Sequence, residues 1–213
     1  MSTKIQVINP FWQEVQANLA VAREYDYRWV ISNSELRDKC CRMYAWAIPD
    51  PMSVIFVAQQ LGPRAIEMGA GTGYWSWQIS QLGVDILAYD KAPPDKIPND
   101  FFAPYSEVPS KSLVKTWHPV QLGSIEVLAE HTDRTLLLCW PPYATDFAHQ
   151  CLKAYQGNRL VFIGEGCGGC TGDDNFFALL DREWEEVAEH SIQQWRYIHD
   201  GITVYERGKE ENE

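Results

Sequence analysis

The stretch that most constrains the fold is AIEMGAGTGYWSWQI, Ala65 to Ile79. An apolar run carries Glu67 near its end, glycines follow at alternate positions (Gly69, Gly71 and Gly73), and an aromatic-rich segment of helical length comes next. A strand that turns on glycine straight into a helix is the first βα unit of a nucleotide-binding sheet. Glycine allows the tight turn and lets a ligand approach the main chain closely. Two phosphate-binding patterns fail on the residues. Counted from Gly69, the sixth position of G-x-G-x-x-G is Tyr74, and no Gly-Lys-Ser/Thr follows for a P-loop.

Around this unit the chain changes texture. Residues 1–62 read as a helical extension, with apolar residues at helical spacing over 11–27 and a second helix over 34–47. A third helix is marked by Asp50 as N-cap, Pro51 at its first position and Gly62-Pro63 as its stop. Residues 63–213 then alternate short apolar runs with helical ones. Strands are expected at 64–69, 84–90, 118–123, 135–140 and 159–166. Helices fall at 74–82, 145–157 and 171–184, the last opened by a capping box from Thr171 to Asp174. Two final runs, 186–195 and 201–207, alternate with period two and lack a helix between them, which makes them an antiparallel pair. The tail from Gly208 is expected to fray. Such alternation implies an α/β fold: a doubly wound, mostly parallel seven-stranded sheet with an antiparallel last strand, preceded by the helical extension. The Pro-rich connection over 91–116 reads equally as a lid or as a solvated loop.

The glycine pattern with its acid, Glu67-x-Gly69-x-Gly71-x-Gly73, resembles motif I of the class I S-adenosylmethionine (SAM)-dependent methyltransferases. That resemblance covers about residues 63–207 and includes the terminal strand pair. An acidic strand end suits a sulfonium and ammonium ligand, whereas a pyrophosphate would be repelled. The next strand ends in Asp90, 17 residues past Gly73, where the family places an acid on the two ribose hydroxyls. The resemblance therefore implies SAM as cofactor, held by Glu67, Gly69, Gly71, Gly73, Tyr74, Trp75 and Asp90. Lys91 would lie along the adenine. Many relatives have an acid after the third strand; this chain offers Gly123 and Ser124 instead. The other reading of the glycines is a turn that lets helix and sheet pack closely.

Acceptor residues are sought at the later strand ends. Trp140-Pro141-Pro142-Tyr143 resembles motif IV of the amino-group methyltransferases, except that Trp140 stands where the family has Asp, Asn or Ser. An indole N–H donates and cannot accept from a target amine. Trp140, Pro141 and Tyr143 are expected at the acceptor, with Trp140 also facing the cofactor crevice. In GEGCGGCTGDD, Glu165 is either a base or polar anchor in the crevice, or part of a glycine connector. Cys167 and Cys170 form C-x-x-C without a second ligand pair, so no metal is expected. None of the five histidines has a partner at ligand spacing.

Composition narrows the acceptor. The net charge of −11 over 213 residues disfavours a nucleic-acid backbone, and nine tryptophans hint at an aromatic-lined pocket. A small or planar acceptor, methylated in line, is the leading expectation. The alternatives are an N6-adenine-type nucleic-acid methyltransferase and a non-catalytic SAM-fold interaction protein. Scattered cysteines, no apolar run of roughly 18 residues and no leader-like N-terminus give a cytoplasmic expectation.

Overall fold

The computed structural model describes residues 7–22, 30–31, 34–103, 109 and 111–208. Three helices come first: α1 (Pro10–Ala22), α2 (Ser34–Met43) and α3 (Pro51–Leu61), with a short strand β1 (Val30–Ile31) between α1 and α2. The core follows as β2 (Arg64–Met68), α4 (Tyr74–Ser80), β3 (Asp85–Asp90), β4 (Val120–Leu122), β5 (Thr135–Cys139) and α5 (Phe147–Ala154). It ends with β6 (Arg159–Gly164), α6 (Asp174–Glu183), β7 (Trp184–Ser191), β8 (Gln194–Trp195) and β9 (Gly201–Arg207).

The third helix starts and stops where its residues dictate. The Asp50 carboxylate accepts from the N–H groups of Met52 (3.0 Å) and Ser53 (3.1 Å), and Pro51 follows it. Gly62 then leaves the helix at φ +70°. Five parallel strands and one antiparallel pair give a seven-stranded sheet in the order β4-β3-β2-β5-β6-β9-β7. The last strand, β9, runs against both neighbours and is inserted between β6 and β7. Strand order reverses between β2 and β5, whose C-terminal ends therefore open a crevice.

Period-two alternation divides the strands between two cores. Leu137, Val161 and Val204 face one layer, formed by α1 to α4. Leu136, Leu138, Leu160 and Phe162 face the other, under α5 and α6. Phe11, Val15 and Tyr44 of the N-terminal extension pack into the same cluster as Leu137 and Trp195. Leu137→Ala, at a fully buried position of a central strand, is expected to cost about 2–5 kcal/mol. Urea unfolding at matched slope measures it.

Local details differ from the sequence expectations for tertiary reasons. The α2 helix ends at Met43, and the chain then extends so that Trp46 stacks on Trp140 (5.5 Å between centroids, 25°). The cap of α6 is Asp173, whose carboxylate accepts from the Phe176 N–H at 3.1 Å. Thr171 is engaged elsewhere: its hydroxyl donates to the Glu165 carbonyl and accepts from the Glu165 N–H. The run over 186–195 breaks after Ser191, and Gln194–Trp195 pairs with β1 in parallel. Burial of Trp195 beside Phe11 fixes that break. The expected helix residues 23–27 lie outside the described residues.

Candidate active site

The turn after β2 holds its three glycines in left-handed backbone, at φ +72° (Gly69), +53° (Gly71) and +71° (Gly73). Each also meets a close neighbour. A side chain at Gly69 would press on the Phe147 ring at 3.0 Å, and one at Gly73 would approach Val120 Cγ2 at 2.9 Å. At Gly71 a Cβ would overlap the Phe102 ring, carried there by the chain after β3. All three glycines thus admit a close neighbour, and at Gly71 that neighbour is the Phe102 ring.

Asp90 ends β3 facing this turn and is nearly buried. One carboxylate oxygen accepts from the Gly71 N–H at 2.9 Å, the other from the Ala92 N–H at 2.8 Å. Each oxygen keeps a further lone pair. Glu67 lies beneath the turn, accepting from the Ser76 hydroxyl. Burial pushes its pKa up to about 7, against the pull of the Ser76 hydrogen bonds, and the Asp90 charge adds to the rise. A buried carboxyl with no ion-pair partner among the described residues marks a place where a positive group would be welcome.

The N-terminal extension clamps this turn from outside. Thr72 Oγ1 donates to the Tyr44 carbonyl, and the Trp117 N–H donates to the Thr72 carbonyl at 2.7 Å. Tyr74 and Trp75, expected at the cofactor, are fully buried. The Tyr74 hydroxyl accepts from the Phe11 N–H and donates to Asn9 Oδ1, both at 3.0 Å, and Trp75 Nε1 donates to the Ala47 carbonyl at 3.3 Å. Their side chains therefore bind the extension. Lys91 is exposed, and so is Ser124, whose hydroxyl donates to Glu126. Gly123 serves packing, since a Cβ there would meet the Tyr89 ring at 2.7 Å.

Across the switch point, Trp140 leaves β5 at φ +50°, a strained conformation for a bulky residue. Its indole N–H donates to Asp200 Oδ2 at 3.0 Å. Asp200 lies just before β9, is 2% exposed, and has no partner among the described residues for its Oδ1. Burial raises its pKa to about 7, opposed by the Trp140 hydrogen bond, while the neighbouring Glu165 charge raises it further. Glu165 is itself buried, accepting from the N–H groups of His199 and Cys170, both at 2.7 Å. Burial would raise its pKa, but those donors outweigh it and the net shift is downward. The Pro141 carbonyl accepts from the Gly172 N–H at 3.1 Å, so the Pro-Pro turn is zipped to the glycine-rich loop. Tyr143 projects outward, 64% exposed.

The structure thus gathers Glu67, Gly71, Asp90, Trp140 and Glu165 around the C-terminal ends of the central strands. It leaves Lys91, Ser124 and Tyr143 on the surface and Tyr74 and Trp75 in the core. Sequence reasoning missed Asp200, Phe102 and Trp117. Only Asp200 left a local trace, as the turn residue before Gly201 and the last strand. Among the described residues, no group of three or more His, Cys, Asp or Glu could hold a metal, and no helix is long and apolar enough to cross a membrane.

No family model and no curated protein matches the chain. Solved structures do resemble it. Magnesium protoporphyrin IX methyltransferase from Synechocystis, solved with bound SAM, is 15% identical; the match covers 96% of this chain and 88% of that one at a TM-score of 0.45. A TehB-like SAM-dependent methyltransferase from Corynebacterium glutamicum is 19% identical, over 73% of this chain and 85% of that one, at 0.44. A candidate tRNA (m1A22) methyltransferase from Streptococcus pneumoniae is 14% identical, over 73% and 69%, at 0.46. The strand order itself fixes the architecture: a mostly parallel seven-stranded sheet with β9 antiparallel, the α/β fold that the motif I resemblance implied.

Proposed function

We propose that the chain is a SAM-dependent methyltransferase acting on a small or planar acceptor. One observation carries the reading: bare left-handed glycine backbone at the end of β2 faces the Asp90 carboxylate at the end of β3, at the sheet's switch point. Asp90 would take the ribose hydroxyls, Gly71 would give the cofactor close access to the main chain, and buried Glu67 would favour the cationic methionine end. Bound there, SAM supplies an electrophilic methyl group with a neutral leaving group. The protein's task is then chiefly alignment. Trp140, Glu165 and Asp200 stand on the acceptor side of the crevice. The acidic chain and the Trp140 indole, committed to Asp200, weigh against an amino group on nucleic acid.

A second reading, a non-catalytic protein on the same fold, draws on Phe102 covering Gly71. Calorimetric titration with SAM and S-adenosylhomocysteine separates the two. Micromolar binding supports the enzyme, and silence with both ligands sinks it. Phe102→Ala is expected to tighten SAM binding about fivefold, because displacing a half-buried ring costs about 1 kcal/mol before the ligand can enter. Weaker binding in that variant would show instead that the ring contacts the ligand.

A further inference from the structure

Beside the crevice lies a small cleft, open to solvent and enclosing about 40 Å³, that the sheet does not build. One face of α2 supplies Arg37, Asp38, Cys41 and Arg42, the chain beyond it supplies Trp46, and Phe101 closes the remaining side. Spacing of four sets Arg37 above Cys41 and Asp38 above Arg42, two adjacent rows on the cleft side of the helix. Trp46 continues into the crevice by stacking on Trp140, whose indole is held by Asp200. Phe101 neighbours the Phe102 ring on Gly71. The cleft therefore adjoins, through the Trp46 ring, the residue Trp140 at the end of β5.

Arg37 Nε is buried and has no hydrogen-bond partner among the described residues. A buried donor left unsatisfied is costly, so such a group marks a position that a ligand acceptor would complete. The guanidinium is planar and matches a carboxylate with two parallel N–H donors. Charge balance selects the valence. The Arg37 guanidinium supplies one positive charge, and the Glu165 charge beside Asp200 disfavours a second negative charge on the ligand. The indole of Trp46 and the Phe101 ring offer flat faces to an aromatic body.

We propose that this cleft is the acceptor subsite and that it takes a planar aromatic monocarboxylate, its carboxylate seated on Arg37. The name acceptor rests on the methyltransferase reading; the binding of the carboxylate does not. In the seated pose the ring lies along Trp46, with its far edge toward Trp140 and the Asp200 carboxyl.

Ligand-detected NMR titrations with 2-naphthoate, 2-naphthamide and naphthyl phosphate test this on the intact chain, with Arg37→Gln and Trp46→Leu alongside. Naphthoate is expected to bind saturably and about tenfold tighter than the amide or the phosphate. Arg37→Gln should lower naphthoate affinity about tenfold and leave the amide unchanged, a retained signal that also reports a folded cleft. Trp46→Leu should weaken acid and amide alike. Equal binding of acid and amide, no binding of naphthoate, stronger binding of the phosphate, or indifference to Arg37→Gln would each overturn the proposal. A SAM titration on the same samples keeps the two claims apart. SAM binding without naphthoate binding removes this subsite alone, and naphthoate binding without SAM removes the methyltransferase reading alone.

Discussion

Asp90→Ala is expected to weaken SAM binding about 100-fold. Two ribose hydroxyls donating to one carboxylate make charge-assisted hydrogen bonds, and losing both removes about 3 kcal/mol. The same carboxylate also ties the glycine turn, through the Gly71 N–H at 2.9 Å and the Ala92 N–H at 2.8 Å. The variant should therefore lose stability as well, about 1–3 kcal/mol. Asp90→Asn separates the roles. It keeps the bulk and one acceptor, so it should retain most of the turn while losing about tenfold in affinity. Calorimetry paired with thermal unfolding reads both quantities. SAM affinity unchanged in Asp90→Ala would leave Asp90 as a structural tie and remove it from the ribose.

Asp200→Asn is expected to stabilise the protein in mild base and to leave it nearly unchanged in mild acid. Asp200 titrates near 7 in the folded chain because burial disfavours its charge. In the unfolded chain the group titrates near about 4. Between those values the folded form holds a proton that the unfolded form has released. Stability from this group is thus complete at low pH, falls as pH rises from about 4 to 7, and stays low above. The fall is on the order of a few kcal/mol. Asparagine cannot ionise, and its Oδ1 can still accept the Trp140 N–H. Urea unfolding at about pH 4 and about pH 8 should show the variant gaining on the wild type chiefly at the higher value. Glu67, also raised to about 7, keeps its own share of the slope in both proteins. A variant less stable at about pH 8 would mean that Asp200 is ionised and paired, Arg37 being a charge that acts to lower its pKa.

Legibility followed the range of the interactions. The α3 boundaries were readable because Asp50, Pro51 and Gly62 act within one turn of themselves. The Glu67–Gly73 pattern was readable because left-handed backbone calls for glycine wherever it occurs, and the spacing to Asp90 is one helix plus one strand. The α6 cap was misplaced onto Thr171 because a residue six positions back, Glu165, had already engaged that hydroxyl. The side chains of Tyr74 and Trp75 turn to the N-terminal extension for a similar reason. A helix beginning after a glycine turn has one face toward the crevice and another toward whatever covers it, and here Phe11, Asn9 and Ala47 claim the second.

The sequence by itself determined the alternation of strand and helix, the switch-point turn and the acid at the end of β3, since each is written in residues a few positions apart. Tertiary structure alone decided what surrounds that turn. It brought Phe102 onto Gly71, locked the Trp140 indole to Asp200 across 60 residues, and set Arg37 from the N-terminal extension beside the same crevice. Such pairings leave no periodicity in the chain. They arise because the sheet buries both faces, and the polar groups displaced to its C-terminal edge must find partners from whichever elements reach it.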